Sequence, residues 1–127
     1  MAYNILIVDD SKLARLAVAK ALRTQYGDWS RLEAANADEA IAVTGQSRID
    51  AALLDFNMPG RDGLVLAAEL RALDPDLPIG LLSANHQAEI VSRAQDVGAT
   101  FLTKPLTEAA LNAFMAVALA RRAAAER

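Results

Sequence analysis

Apolar residues along the chain gather into five short runs, and the stretches between them repeat at helical spacing. The runs are Asn4–Val8, Leu32–Ala35, Asp50–Leu54, Pro78–Leu82 and Thr100–Thr103. Ile5-Leu6-Ile7-Val8, Ala51-Ala52-Leu53-Leu54 and Ile79-Gly80-Leu81-Leu82 are apolar at consecutive positions, as parallel strands are when helices cover both faces. Leu32-Glu33-Ala34-Ala35 alternates instead and reads as an edge strand. Ser11 precedes a first helix whose face is Ala14, Val18, Ala21 and Leu22. Asn36 with Glu39 forms a capping box for the second helix. Asp62-Gly63 opens the third, which runs to about Leu73 and is stopped by Asp74-Pro75-Asp76. Asn85 is the candidate cap of a fourth, ending at Gly98. Thr107 caps a fifth, with Ala110, Leu111, Phe114, Met115 and Ala118 on its face. Strictly alternating strands and helices predict a doubly wound α/β fold, (βα)5, on an open parallel five-stranded sheet with right-handed crossovers. Order 2-1-3-4-5 is one of the two common windings, and it puts the ligand crevice beyond the carboxyl ends of strands 1 and 3.

Composition narrows the chemistry. The 127 residues fit one domain, 1–127, and 28 of them are alanine, so much of the 54% apolar content is small side chains on helices. No apolar run approaches the ~20 residues of a membrane span, and Met1-Ala2-Tyr3-Asn4 lacks a basic leader, so a cytoplasmic place is expected. There is no cysteine, which excludes disulfides, thiolate metal sites and cysteine nucleophiles. A single histidine, His86, placed in the first turn of helix 4, offers no poly-histidine metal site. A net charge of −3 gives no global case for nucleic acid or an anionic membrane. Trp29 reads as a packing residue of the loop between helix 1 and strand 2.

The predicted crevice is acidic. Asp9-Asp10 follow strand 1 and Asp55 ends strand 3. Three carboxylates in one crevice repel one another, and a cation relieves that. Oxygen-only ligands select a hard ion, Mg²⁺ or Mn²⁺. The plainer reading of Asp9-Asp10 is a turn with a helix N-cap. At the end of strand 5, Lys104-Pro105 offers a positive charge to Asp55 or to a phosphoryl oxygen, or else a solvated strand-end lysine. Ser83, ending strand 4, offers a hydroxyl to the crevice or a local backbone bond.

Together these residues resemble the receiver domain of two-component response regulators. The resemblance rests on Ile5-Leu6-Ile7-Val8-Asp9-Asp10-Ser11, on Leu53 to Gly63, on Leu82-Ser83-Ala84, on Gly98-Ala99 and on Phe101-Leu102-Thr103-Lys104-Pro105-Leu106. It covers essentially the whole chain. It implies a flavodoxin-like sheet and a definite set of roles. Asp55 is the phosphoryl acceptor. Asp9 and Asp10 hold Mg²⁺, with Asp10 the more direct ligand, and Asp55 and the carbonyl of Asn57 complete the protein ligands. Lys104 contacts the phosphoryl group. Ser83 is the switch hydroxyl and Phe101 the coupled aromatic, although an aromatic on strand 5 also packs under a helix without any switch. The implied partners are a sensor histidine kinase or phosphotransfer protein and a downstream target protein, met through helix 4, strand 5 and helix 5. The molecule would be a monomer or weak dimer, with neither nucleic acid nor membrane bound directly. Serine replaces the commoner threonine at 83 and phenylalanine the commoner tyrosine at 101. Asn57 and Asn85 stand where the family tunes dephosphorylation. Asp55-Phe56-Asn57-Met58-Pro59 is similar to the same run in chemotaxis regulators.

The expectation is a stand-alone switch that catalyses only its own phosphorylation and dephosphorylation, since only Ala123–Arg127 follow the fifth helix face. The alternatives are the N-terminal receiver of a longer regulator and an interaction module that works without phosphorylation. A phosphatase with an aspartate nucleophile would need a second acid two residues on, where this chain has Asn57.

Overall fold

The computed structural model describes residues 3–84 and 87–125. The elements are β1 Asn4–Val8, α1 Lys12–Gln25, β2 Ser30–Ala34, α2 Ala37–Gln46, β3 Ala51–Asp55, α3 Gly63–Leu73, β4 Ile79–Ser83, α4 Ala88–Asp96, β5 Ala99–Thr103 and α5 Glu108–Ala125. The five strands are all parallel and stand in the order β2-β1-β3-β4-β5. Among the described residues, no helix is long and apolar enough to cross a membrane.

Each strand alternates its side chains between two cores. Leu6, Val8, Ala52, Leu54, Ile79 and Leu81 lie under α2, α3 and α4. Ile5, Ile7, Ala51, Leu53, Leu82 and Leu102 lie under α1 and α5, where they meet Leu22, Leu111, Phe114 and Met115. The three consecutive apolar runs are therefore the three central strands, covered on both faces.

Local chemistry sets the helix starts. Ser11 Oγ accepts from the N–H of Ala14, and Asn36 Oδ1 from that of Glu39. Asp62 Oδ1 accepts from Val65 and Thr107 Oγ1 from Ala110. Glu39 returns a bond to the backbone N–H of Ala35, one residue before the cap, so the capping box closes one position early.

The structure corrects several boundaries. β2 begins at Ser30, two residues before the apolar pattern. An edge strand is held by its backbone ladder, and Ser30 N–H donates to Tyr3 O while buried Trp29 packs on the Tyr3 ring. β3 and β4 each begin one residue later than their apolar runs, at Ala51 and Ile79, and end at Asp55 and Ser83 as expected. α4 ends at Asp96, not Gly98, and Gln87 stands at its N-cap position, where its side chain makes no capping bond to the helix. The candidate cap Asn85, and His86, lie outside the described residues. On α1 the buried residues are Ala19 and Leu22, while Ala14 and Val18 are half-buried and Ala21 is exposed. Ala14, Val18 and Ala21 line an open groove with Pro105 and Leu106.

Candidate functional site

Strand register brings the acids together. The β1–β3 ladder ends at Val8↔Leu54, so Asp9 and Asp55 are the next pair along it. Period-two alternation turns both toward the α1/α5 side, the side of Ile7 and Leu53. Lys104 follows Leu102 with the same parity and comes in from β5. Its backbone N–H donates to Ser83 O, and its bond to Pro105 is cis.

Asp9 and Asp55 are buried and Asp10 is exposed; the three offer carboxylate oxygens within 4.8 Å of one another. Lys104 Nζ lies 2.6 Å from Asp55 Oδ1 and 3.5 Å from Asp9 Oδ2. Asp9 faces the crevice and also makes the turn of the plainer reading, though the N-cap of α1 is Ser11. Its Oδ1 accepts the N–H of Ser11 at 2.9 Å and shapes the turn into α1, while Oδ2 faces the crevice.

The electrostatics follow from that geometry. Burial pushes the Asp55 carboxyl above its ordinary 3.8, and the charge of Asp9 adds to the rise. The hydrogen bond and charge of Lys104, and an N–H from the backbone of Asn57, oppose it without winning. Lys104 is pulled down by burial, but Asp55 and Asp9 outweigh this and hold its ammonium above the usual 10.5. Three carboxylates face one ammonium, an excess of negative charge matched to a divalent cation. An all-oxygen donor set with one exposed member, Asp10, fits an ion that keeps several waters, as Mg²⁺ does.

Ser83 is buried and paired with Thr103, and Phe101 is half-buried and paired with Leu81. Cross-strand partners share a face, so Ser83 and Phe101 stand on the same face of the sheet, toward α3 and α4. Asn57 is exposed in the loop after β3.

Two arginines near the site were not read from the sequence. Arg15 donates to the carbonyl of Asp9 at 2.6 Å and to Glu33 Oε1 at 2.9 Å, tying α1 to β1 and β2. Helix side chains lean toward the N-terminus, so a cation four residues after Ser11 points back at the acids, and that was the available signal. Arg61 reaches Asp38 on α2 and, at 2.7 Å, Glu69 on α3. No local pattern foretells those partners.

A family model described as the response regulator receiver domain matches residues 5–116. The chain is 38% identical over 104 residues to a glycerol metabolism activator of Pseudomonas putida, covering 80% of this chain and 47% of that protein. It is 36% identical over 121 residues to the phosphate regulon transcriptional regulatory protein PhoB of Pseudomonas aeruginosa, covering 93% of this chain and 52% of that one. The chain thus spans about half the length of these curated relatives. Among solved structures, the Vibrio cholerae chemotaxis protein CheY4 superposes with a TM-score of 0.81 at 28% identity, covering 91% of this chain and 97% of that one.

Proposed function

Because the chain belongs to the response regulator receiver domain family, we propose that it is a phosphorylation switch whose acceptor is Asp55. The supporting observation is the buried Asp55 carboxylate, 2.6 Å from Lys104 and within cation-sharing distance of Asp9 and Asp10. The donor class is a phosphohistidine on a sensor kinase or phosphotransfer protein. An oxygen of Asp55 attacks phosphorus in line with the departing imidazole nitrogen. The O–P bond forms as the N–P bond breaks, and the electron pair leaves with the imidazole, which takes up a proton. Lys104 carries positive charge against the phosphoryl oxygens throughout. Asp9, Asp10, Asp55 and the carbonyl of Asn57 are the residues that would hold Mg²⁺ or Mn²⁺, and the bound ion supplies further neutralisation of the transferring group.

The aspartyl phosphate adds negative charge and acceptor oxygens at the end of β3. The Ser83 hydroxyl is drawn to one of them, and Phe101, on the same face, turns into the space released. The surface of α4, β5 and α5 then changes for a downstream protein. Loss of the phosphoryl group to water resets the switch, so the chain's only chemistry is on itself. We place it in the cytoplasm. Relatives of both lengths match, the curated ones about twice as long and the chemotaxis protein nearly equal. The switch works the same way in either setting.

The test is intact mass after incubation with Mg²⁺ and a small acyl or amido phosphate. Metal-dependent gain of one phosphoryl group, abolished in Asp55→Asn, is the expected result. No gain in any condition would leave the interaction module as the better account.

A further inference from the structure

The loop from Phe56 to Asp62 carries Asn57, and its middle has little of its own to hold it. Phe56 N–H donates to Leu82 O at the entry, and Gly63 N–H donates to Phe56 O at the exit. Between them, the side chain of Met58 is buried in the core under α2, α3 and α4. Gly60 is at φ 78°, and Asn57, Pro59 and Gly60 are exposed. The other tether is Arg61. One arm of its guanidinium meets Glu69 Oε2 at 2.7 Å and the other meets Asp38. A single side chain thus pins the loop to two helices. The planar fork serves both acids at once, which a lysine ammonium on a flexible stem would not.

Asn57 sits four residues before Arg61 and two after Asp55, the last residue of β3, and its backbone N–H works against the rise in the Asp55 pKa. We propose that Arg61 is a positioning residue of the cation and phosphoryl site: by clamping the loop across α2 and α3 it fixes the backbone of Asn57 against Asp55. This rests on the reading of Asp9, Asp10, Asp55 and Asn57 as the cation ligands. Groups that orient ligands from outside characteristically change metal affinity about 10- to 100-fold when removed. Solvent-facing ion pairs contribute little to global stability. The clamp is therefore expected to act on the site far more than on the fold.

The experiment is a Mg²⁺ titration of the full chain, followed by backbone amide shifts, for wild type, Arg61→Ala and Arg61→Lys. Thermal unfolding in chelator runs alongside. The expected result is Mg²⁺ affinity about tenfold weaker in Arg61→Ala, faster hydrogen exchange at the Asn57 amide, and an unfolding midpoint close to wild type. Arg61→Lys, able to engage one acid at a time, recovers part of the affinity. Equal affinity in wild type and Arg61→Ala would overturn the proposal. So would a loss of affinity that tracks a loss of thermal stability with the Asn57 amide unchanged. Absence of Mg²⁺ binding by wild type would overturn the underlying reading of the site and this proposal with it.

Discussion

Asp55 is a carboxylate that burial disfavours in its charged form, that Lys104 steadies, and that the charge of Asp9 opposes. Its pKa in the fold lies above the 3.8 of the unfolded chain. A raised pKa favours the fold while the group keeps its proton, below 3.8, and that contribution is lost as pH rises through the folded value. At neutral pH, without metal, the fold therefore carries a charge it would be more stable without. Asp55→Asn keeps the shape and removes the charge. It is expected to raise Tm at pH 7 in chelator, with the gain shrinking as pH falls toward 3.8. A lower Tm than wild type at pH 7 would contradict this. Gly63 makes a different demand. A Cβ there would meet the carbonyl oxygen of Asp55 at 2.4 Å and Phe56 Cα at 2.9 Å, both backbone atoms that cannot swing aside. Gly63→Ala is expected to cost about 1–3 kcal/mol in urea unfolding and to weaken Mg²⁺ binding, because the carbonyl it displaces belongs to the acceptor Asp55.

Among the elements, α5 shows what a sequence pattern can and cannot tell. Leu111, Phe114, Met115 and Ala118 are its buried residues on the side facing the sheet, as their spacing predicts, with Ala110 half-buried at the margin. The face was legible because the large apolar residues lie on one side. On α1 alanines lie all round, so the pattern does not choose between them, and Leu22 carries Ala19 inward instead of Ala21. The start of β2 was missed because an edge strand is set by backbone pairing and needs no apolar residue. The anchor at the far end of α5 was also missed. Arg122 Nε lies 2.7 Å from Asp50 Oδ1, and the carboxylate, also met by Arg48 and by the Asn4 N–H, is buried. Asp50→Ala would leave Arg122 facing the interior uncompensated. It is expected to cost about 3 kcal/mol, the lower end for breaking a buried pair, read as a lower urea midpoint at unchanged m-value.

At the scale of the molecule, three strands far apart in sequence deliver Asp9, Asp55 and Lys104 to one crevice. The winding order and the two-residue period of a strand suffice to do this, and both are readable from the chain. The acidic site was therefore legible almost whole. The supports of Arg15 and Arg61 were not, because Glu33 lies 18 residues from Arg15, Asp38 and Glu69 lie 23 and 8 from Arg61, and nothing local says which acid a long side chain will reach. Binding of Mg²⁺ to the folded state alone links the site to global stability. Excess Mg²⁺, at about 100 times its dissociation constant, is expected to add about 2.7 kcal/mol to unfolding, and none in a variant with both Asp9 and Asp10 changed to Asn. The central claim concerns one carboxylate among many, so the most direct measurement locates the group. The chain is phosphorylated with Mg²⁺ and a small phosphodonor, reduced with borohydride, cut after Lys12, Arg48 and Arg61, and the peptides from Met1 to Lys12 and from Ile49 to Arg61 are sequenced by mass. Reduction of an acyl phosphate leaves an alcohol, so homoserine at position 55 with Asp50 intact is the result predicted. Homoserine at Asp9, Asp10 or Asp50, with Asp55 unchanged, would contradict the account.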